Sequence, residues 1–253
     1  MNNKNIQIAL ISFSLCMFTA YVYAKSPVTV KMLKGEAKVT VLEGTAQAFC
    51  PGQKNLRNLK IEDVLKSGCE ISTGEKSRLE LMLPDNSTIR FSENTKFRLL
   101  QASVDEAGTR DIKVSVAMGK IWSNVSKALG GKGRFEVSCE NAVAGVRGTI
   151  YRMDVETDKS ALVKVYDGEV SVAGIKPPEQ LSAKVSAAPQ RISGPTVIAG
   201  PKQVSMEEWV YIVKSMQQVR IKSDGKAEEP QDFTEDEDCD AWVDWNKTRD
   251  IAK

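Results

Sequence analysis

Three groups of residues have types and spacings that could do chemistry. Asp236, Asp238 and Asp240 alternate in the way that opens a calcium-binding loop. Such a loop needs glycine at its sixth position for the sharp turn and a bidentate glutamate at its twelfth. Ala241 and Lys247 stand there instead, so only weak, adventitious calcium binding is expected. Gly130-Gly131-Lys132-Gly133 has part of a phosphate loop. The Walker pattern also needs a glycine five residues before the Gly-Lys step and a Ser or Thr after it. Ser126 and Gly133 occupy those places, and the stretch reads as a flexible hairpin loop. Cys50, Cys69, Cys139 and Cys239 are the third group, and none is spaced as the C-x-x-C of a zinc or redox site.

Histidine is absent from the chain. That removes the commonest general base and the commonest transition-metal ligand. Neither a Ser–His–Asp nor a Cys–His nucleophile can be assembled. No catalytic residue, metal or cofactor is assigned, and the chain is not expected to be an enzyme. A hydrolase resting on carboxylates alone is the remote third reading, since no acidic pair has distinctive placement.

The elements that would position any site read as short strands. Leu79, Leu81 and Leu83 alternate with polar or flexible neighbours, as do Ile112, Val114 and Val116. Phe135 and Val137 flank Glu136, while Tyr151, Met153 and Val155 alternate with Arg152 and Asp154. Val163 and Val165 flank Lys164. Period two sends each apolar set to one face of a sheet and each charged set to water. Turn residues punctuate these runs at Pro84-Asp85-Asn86, Gly108, Gly119 and Asp158. Asp167-Gly168, between Val165 and Val170, predicts a type I′ hairpin. An all-β sandwich, roll or short β-helix follows.

The address is read from residues 1–24. Lys4 precedes an apolar run from Ile6 to Val22, and Val22-Tyr23-Ala24 suits cleavage before Lys25. That is the layout of a signal peptide. Retention as an anchor is the rival, because the run approaches the roughly 20 residues that cross a bilayer. A periplasmic or secreted protein with no stable membrane anchor is expected. Cys16 leaves with the signal, and the other four cysteines face an oxidising compartment. Four cysteines allow three connectivities. Cys50–Cys69 and Cys139–Cys239 are the expected pairs, because the first brackets one short irregular stretch. Its closure would stabilise the fold by about 3 kcal/mol in the chain-entropy view.

Beyond residue 175 the pattern changes. Residues 176–204 carry Pro177, Pro178, Pro189, Pro195 and Pro201 and read as a linker or as edge strands. Ser205 and Glu208 form a capping-box pattern. Met206, Trp209, Val210, Val213 and Met216 then fall on one stripe, predicting an amphipathic helix over 205–224. Residues 225–253 form an acidic tail; from 228 onward it holds ten acids against three bases. The body before it is basic. A solvated tail is one reading, but Trp242 and Trp245 sit poorly in a purely solvating segment. The other is that the tail folds back on the basic domain, tethered by Cys239. Trp209, Trp242 and Trp245 are the candidates for touching a partner, although Trp209 also suits docking the helix on the sheet. Nucleic acid is not expected, because the Lys and Arg are scattered without an interleaved stacking surface.

Gly145-Val146-Arg147-Gly148-Thr149 resembles the signature of FecR domains. Its surroundings match that family in order. Leu65-Lys66-Ser67-Gly68 with Glu70-Ile71-Ser72-Thr73 is similar to the opening stretch. Ser77 to Leu83, Asp85 to Ile89 and Asn94-Thr95 resemble the next segment. Gly119-Lys120-Ile121-Trp122, Phe135-Glu136-Val137 and Val163 to Val172 follow. The glycines of the signature suit a tight turn, so a fold-defining role is set against a ligand contact by Arg147. The resemblance implies a FecR-like β domain over 25–175 that is extracytoplasmic. The anti-sigma segment and membrane helix of the iron-transport relatives are not seen. A non-catalytic binding or sensory module for an envelope protein or an anionic envelope polymer is the leading expectation. A structural envelope protein without a regulated ligand is the alternative.

Overall fold

The computed structural model describes residues 36–127, 133–174 and 210–251. The expected signal peptide, the Pro-rich stretch, Trp209 and the Ser205–Glu208 pair lie outside them. The expected all-β class is found. In chain order the strands are β1 (Glu36–Glu43), β2 (Ala46–Phe49), β3 (Arg57–Asn58), β4 (Val64–Lys66) and β5 (Glu70–Thr73). Next come β6 (Arg78–Met82), β7 (Thr88–Phe91), β8 (Lys96–Val104), β9 (Arg110–Asn124), β10 (Gly133–Ser138) and β11 (Ala142–Val146). Then follow β12 (Ile150–Val155), β13 (Ala161–Asp167), β14 (Glu169–Gly174), β15 (Val210–Lys214), β16 (Gln217–Ile221) and β17 (Gln231–Asp232). A 3₁₀ turn at Asp236–Asp238 leads into the helix α1 (Ala241–Ile251).

Hydrogen bonding sorts the strands into two layers. Sheet A runs β3-β2-β5-β8-β9-β10-β11-β14-β15. Sheet B runs β4-β1-β6-β7-β9-β12-β13-β16-β17. All pairings are antiparallel except β9 with β10. The strand β9 belongs to both layers: Arg110–Met118 pairs in sheet A, and Gly119–Asn124 in sheet B. The corner is Gly119, at φ +106°, where an added Cβ would lie 2.4 Å from Thr95 Oγ1. Glycine is required there on both counts.

The period-two pattern fills the space between the layers. Leu79, Leu81, Ile89, Phe91, Tyr151, Met153, Val163 and Val165 are buried from sheet B. Ile71, Phe97, Leu99, Ile112, Val114, Val116, Phe135 and Val137 are buried from sheet A. Phe91 and Phe97 stack across the layers with centroids 3.5 Å apart.

Two expected hairpins are corrected. Asp167-Gly168 does turn sharply, with Gly168 at φ +85°, but β13 and β14 pair in different sheets. Positive φ serves a corner between layers as well as a turn within one. Gly133 opens β10, which runs parallel to β9, so these two strands do not form the expected hairpin; Gly130, Gly131 and Lys132 lie outside the described residues.

The helix expected over 205–224 is also corrected. Residues 210–214 and 217–221 are the strands β15 and β16, turning at Met216 with φ +62°. Val210-Tyr211-Ile212-Val213 is a β-branched and aromatic run, and the edge of β14 offers it partners from Val210↔Ala173 to Glu169↔Lys214. Strand propensity and an open edge outweigh the apolar stripe. The helix lies instead in the segment expected to be an acidic tail. The sheets therefore continue past residue 175, taking in β15, β16 and β17.

Candidate binding surfaces

The charged residues of sheet B do not all face water, as the alternation predicted. Glu80, Arg90, Arg152, Asp154 and Lys164 are buried on the outer face of the sheet. Register explains why they meet. Glu80 stands opposite Arg90, Arg90 opposite Trp122, Trp122 opposite Arg152, Arg152 opposite Lys164, and Lys164 opposite Gln218. One row thus crosses the sheet, and the residues from 233 to 251 lie over it.

Two side chains and one backbone carbonyl of that C-terminal segment make the closest contacts to the row. Asp238 Oδ1 lies 2.9 Å from Arg152 Nη1 and 3.1 Å from Lys164 Nζ, and its other oxygen accepts from the Tyr166 hydroxyl. Asp250 Oδ1 lies 2.8 Å from Arg90 Nη1, and its Oδ2 accepts from the Trp122 indole at 2.8 Å. Between them the backbone carbonyl of Asn246 accepts from Arg90 Nη1 at 3.3 Å. Within the sheet, Arg90 Nε pairs with Glu80 Oε2 at 2.6 Å and Arg152 with Asp154 at 2.9 Å. Charges taken from water at this depth persist only with such partners.

The local sequence shapes the segment. Asp240 Oδ1 accepts the backbone N–H of Trp242 and Val243, both at 2.8 Å, and so caps α1. Trp242 and Val243 pack on Trp122, with Ile150, Tyr166 and Trp245 around them. Trp245 lies under the guanidinium of Arg78 at 5.2 Å and that of Arg249 at 5.1 Å. Burial, and then the bond to Asp238, pushes the Tyr166 phenol well above its ordinary range. Burial likewise raises the Asp154 carboxyl, with Arg152 opposing it.

The opposite broad face exposes apolar side chains. On the outside of sheet A, Phe49, Leu56 and Leu100 are 42%, 61% and 41% exposed. With Ser72, Ser115 and Ala117 they line a groove of about 510 Å³, and the Glu70–Arg98 ion pair lies in it.

The signature residues form a corner rather than a pocket. Val146 ends β11 in sheet A and Ile150 begins β12 in sheet B. Gly148 takes φ +63°. Thr149 Oγ1 donates to the Glu169 carbonyl at 2.9 Å, which joins this corner to the one at Gly168. Gly145 pairs with Glu136 and Ser171, and Arg110 Nη2 reaches the Val146 carbonyl at 3.4 Å. The Arg147 side chain is exposed.

Cys50 and Cys69 are joined as expected. The expected Cys139–Cys239 bond is not made: Cys139 is buried, Cys239 is exposed, and both are free. The tail does fold back, but ion pairs and tryptophans hold it rather than a disulfide. Trp242 and Trp245 accordingly face the chain's own sheet. Asp236, Asp238 and Asp240 diverge, with Asp238 turned inward and the others exposed. Among the described residues no group of three or more acidic or cysteine side chains could hold a metal ion, and no helix is long and apolar enough to cross a membrane.

Residues 70–171 match the FecR protein family model. That stretch, from β5 to β14 with the signature corner inside it, is a FecR domain. Two crystal structures of a proposed anti-sigma factor from Parabacteroides distasonis ATCC 8503, at 1.65 and 2.50 Å resolution, are similar in fold. Each has 18% sequence identity and a TM-score of 0.43, over 64% of this chain. The chain spans 59% of the length of each. No curated protein matches the sequence.

Proposed function

We propose that the chain is an exported, non-catalytic binding module that engages an envelope protein through the outer face of sheet A. The contrast between its two broad faces carries the reading. The row on sheet B is sealed by the chain's own C-terminal segment, whereas Phe49, Leu56 and Leu100 stay in water on sheet A. A contiguous apolar surface left open beside an ion pair is the composition of a protein-binding patch. The FecR domain, the Cys50–Cys69 disulfide and the apolar run before Lys25 support a location outside the cytoplasm.

The test places a photo-crosslinking residue at Leu100 and, as a control, at exposed Lys222 in the full chain expressed in its host. A discrete adduct from Leu100 and none from Lys222 is expected. The same adducts from both positions, or none from Leu100, would sink the reading. A ladder of adducts to anionic polymer would replace the protein partner with an envelope polymer. Intact mass of the exported protein tests cleavage after Ala24.

A further inference from the structure

The apolar contacts beneath α1 form a cluster of their own. Trp122, Trp242 and Val243 make it up, and it is separate from the large core between the sheets. Lifting the C-terminal segment away would therefore take no side chain out of that core. The remaining contacts are mostly ion pairs and charged hydrogen bonds to Arg90, Arg152, Lys164, Trp122 and Tyr166. Such groups regain their hydration when the cover leaves, so the net hold is far smaller than the contacts suggest. What would be uncovered is a strip of three cations flanking an indole and a phenol.

We propose that this strip is a second docking groove, for an acidic segment of a partner protein, and that residues 233–251 occupy it in cis until the partner displaces them. Charge and spacing define the partner. The covering segment presents one aspartate to Arg152 and Lys164, a tryptophan four residues on, and a second aspartate eight residues after that to Arg90 and Trp122. Glu80 and Asp154 remain in the strip and balance two of its cations, so it takes a partner with a few well-placed carboxylates rather than a dense polyanion. Arg90 is fully buried under the segment, so occupancy in cis and in trans exclude one another. This groove is distinct from the open face of sheet A and does not depend on it.

A fluorescent peptide with the sequence of residues 233–251 tests the groove against the full chain and against its Asp238→Asn, Asp250→Asn double variant. The peptide binds the variant about tenfold more tightly than the parent protein, a difference of about 1.4 kcal/mol. A peptide carrying the same two Asp→Asn changes loses that advantage. Equal binding to both proteins, no binding to a variant that keeps the parent's circular dichroism spectrum, or displacement by polyglutamate as effective as by unlabelled peptide would each overturn the proposal. Should the variant not fold, hydrogen exchange on the parent protein decides. Backbone amides of α1 exchanging about tenfold faster than those of β12 support release of the segment, and equal exchange refutes it.

Discussion

The Trp122 indole donates its N–H to Asp250 Oδ2 at 2.8 Å, fixing the last turn of α1 to the part of β9 that lies in sheet B. The same carboxylate faces Arg90 through its other oxygen. Two strands and the helix thus share one acidic side chain, which makes it the point to cut.

Asp250→Ala should loosen the C-terminal segment before it loosens the sheets. Loss of hydrogen bonds to a charged group amounts to about 2 kcal/mol, or roughly thirtyfold in local opening. Hydrogen exchange should show that acceleration in α1, with the amides of β12 and β13 unchanged. Equal acceleration in all three elements would mean that the segment and sheets open together.

Alkaline pH should weaken the fold through two phenols. Tyr151 and Tyr166 are both held well above the ordinary tyrosine range, burial being the first cause in each. The unfolded chain releases these protons near pH 10 while the native state keeps them. The unfolded state then binds fewer protons, so stability is intact below about pH 10 and falls above it. The slope is about 1.4 kcal/mol per pH unit for each phenol, and Tyr151→Phe should halve the contribution of the pair. Urea midpoints across this range, beside the phenolate absorbance, measure it.

The cysteines should separate by reactivity. In the native state Cys239 should alkylate readily. Cys139 is buried and its thiol is raised by that burial, so it should react only on unfolding. Reduction of Cys50–Cys69, or its replacement by two serines, should cost about 3 kcal/mol. Peptide mapping after alkylation reports the first result and urea unfolding the second.

Gly119 and Gly108 make a matched pair. Both have positive φ, yet an added Cβ at Gly108 meets nothing within 4 Å, while at Gly119 it strikes Thr95. Gly108→Ala should cost about 1 kcal/mol from backbone strain alone. Gly119→Ala should cost at least about 3 kcal/mol, because the clash adds to the strain. Equal melting temperatures for the two variants would contradict the corner described at Gly119.

Arg147→Ala should change stability by no more than about 0.5 kcal/mol, as for an exposed side chain away from special features. Gly148→Ala should cost about 1–3 kcal/mol, because its φ is +63°. Two equal losses would assign Arg147 a role that its exposed position does not account for.

Strand alternation was plain in the sequence wherever a strand buries one apolar face, as with Leu79 and Leu81 or Tyr151 and Met153. The charged row was hidden by the same rule. Arg152 and Lys164 have the spacing of a wet face, and only pairing between distant strands brings them under the C-terminal segment. α1 was missed for a related reason. Its inward stripe runs Trp242, Val243, Asn246 and Asp250, half of it polar because the surface beneath is charged, so no hydrophobic period stands out. The available signal was compositional: an acidic, tryptophan-bearing segment following a basic body. Asp240, with helix-compatible residues after it, was the cap.

A sandwich made of two separate sheets is joined by side chains and by the turns that cross between them, so its layers can slide on one another. Here β9 passes from one sheet to the other through Gly119 within a single unbroken strand. A tangential pull on sheet A is therefore borne by covalent bonds in the middle of sheet B, and the layers cannot shear without bending that strand. This is a mechanical property: load applied at one face arrives at the other without slack.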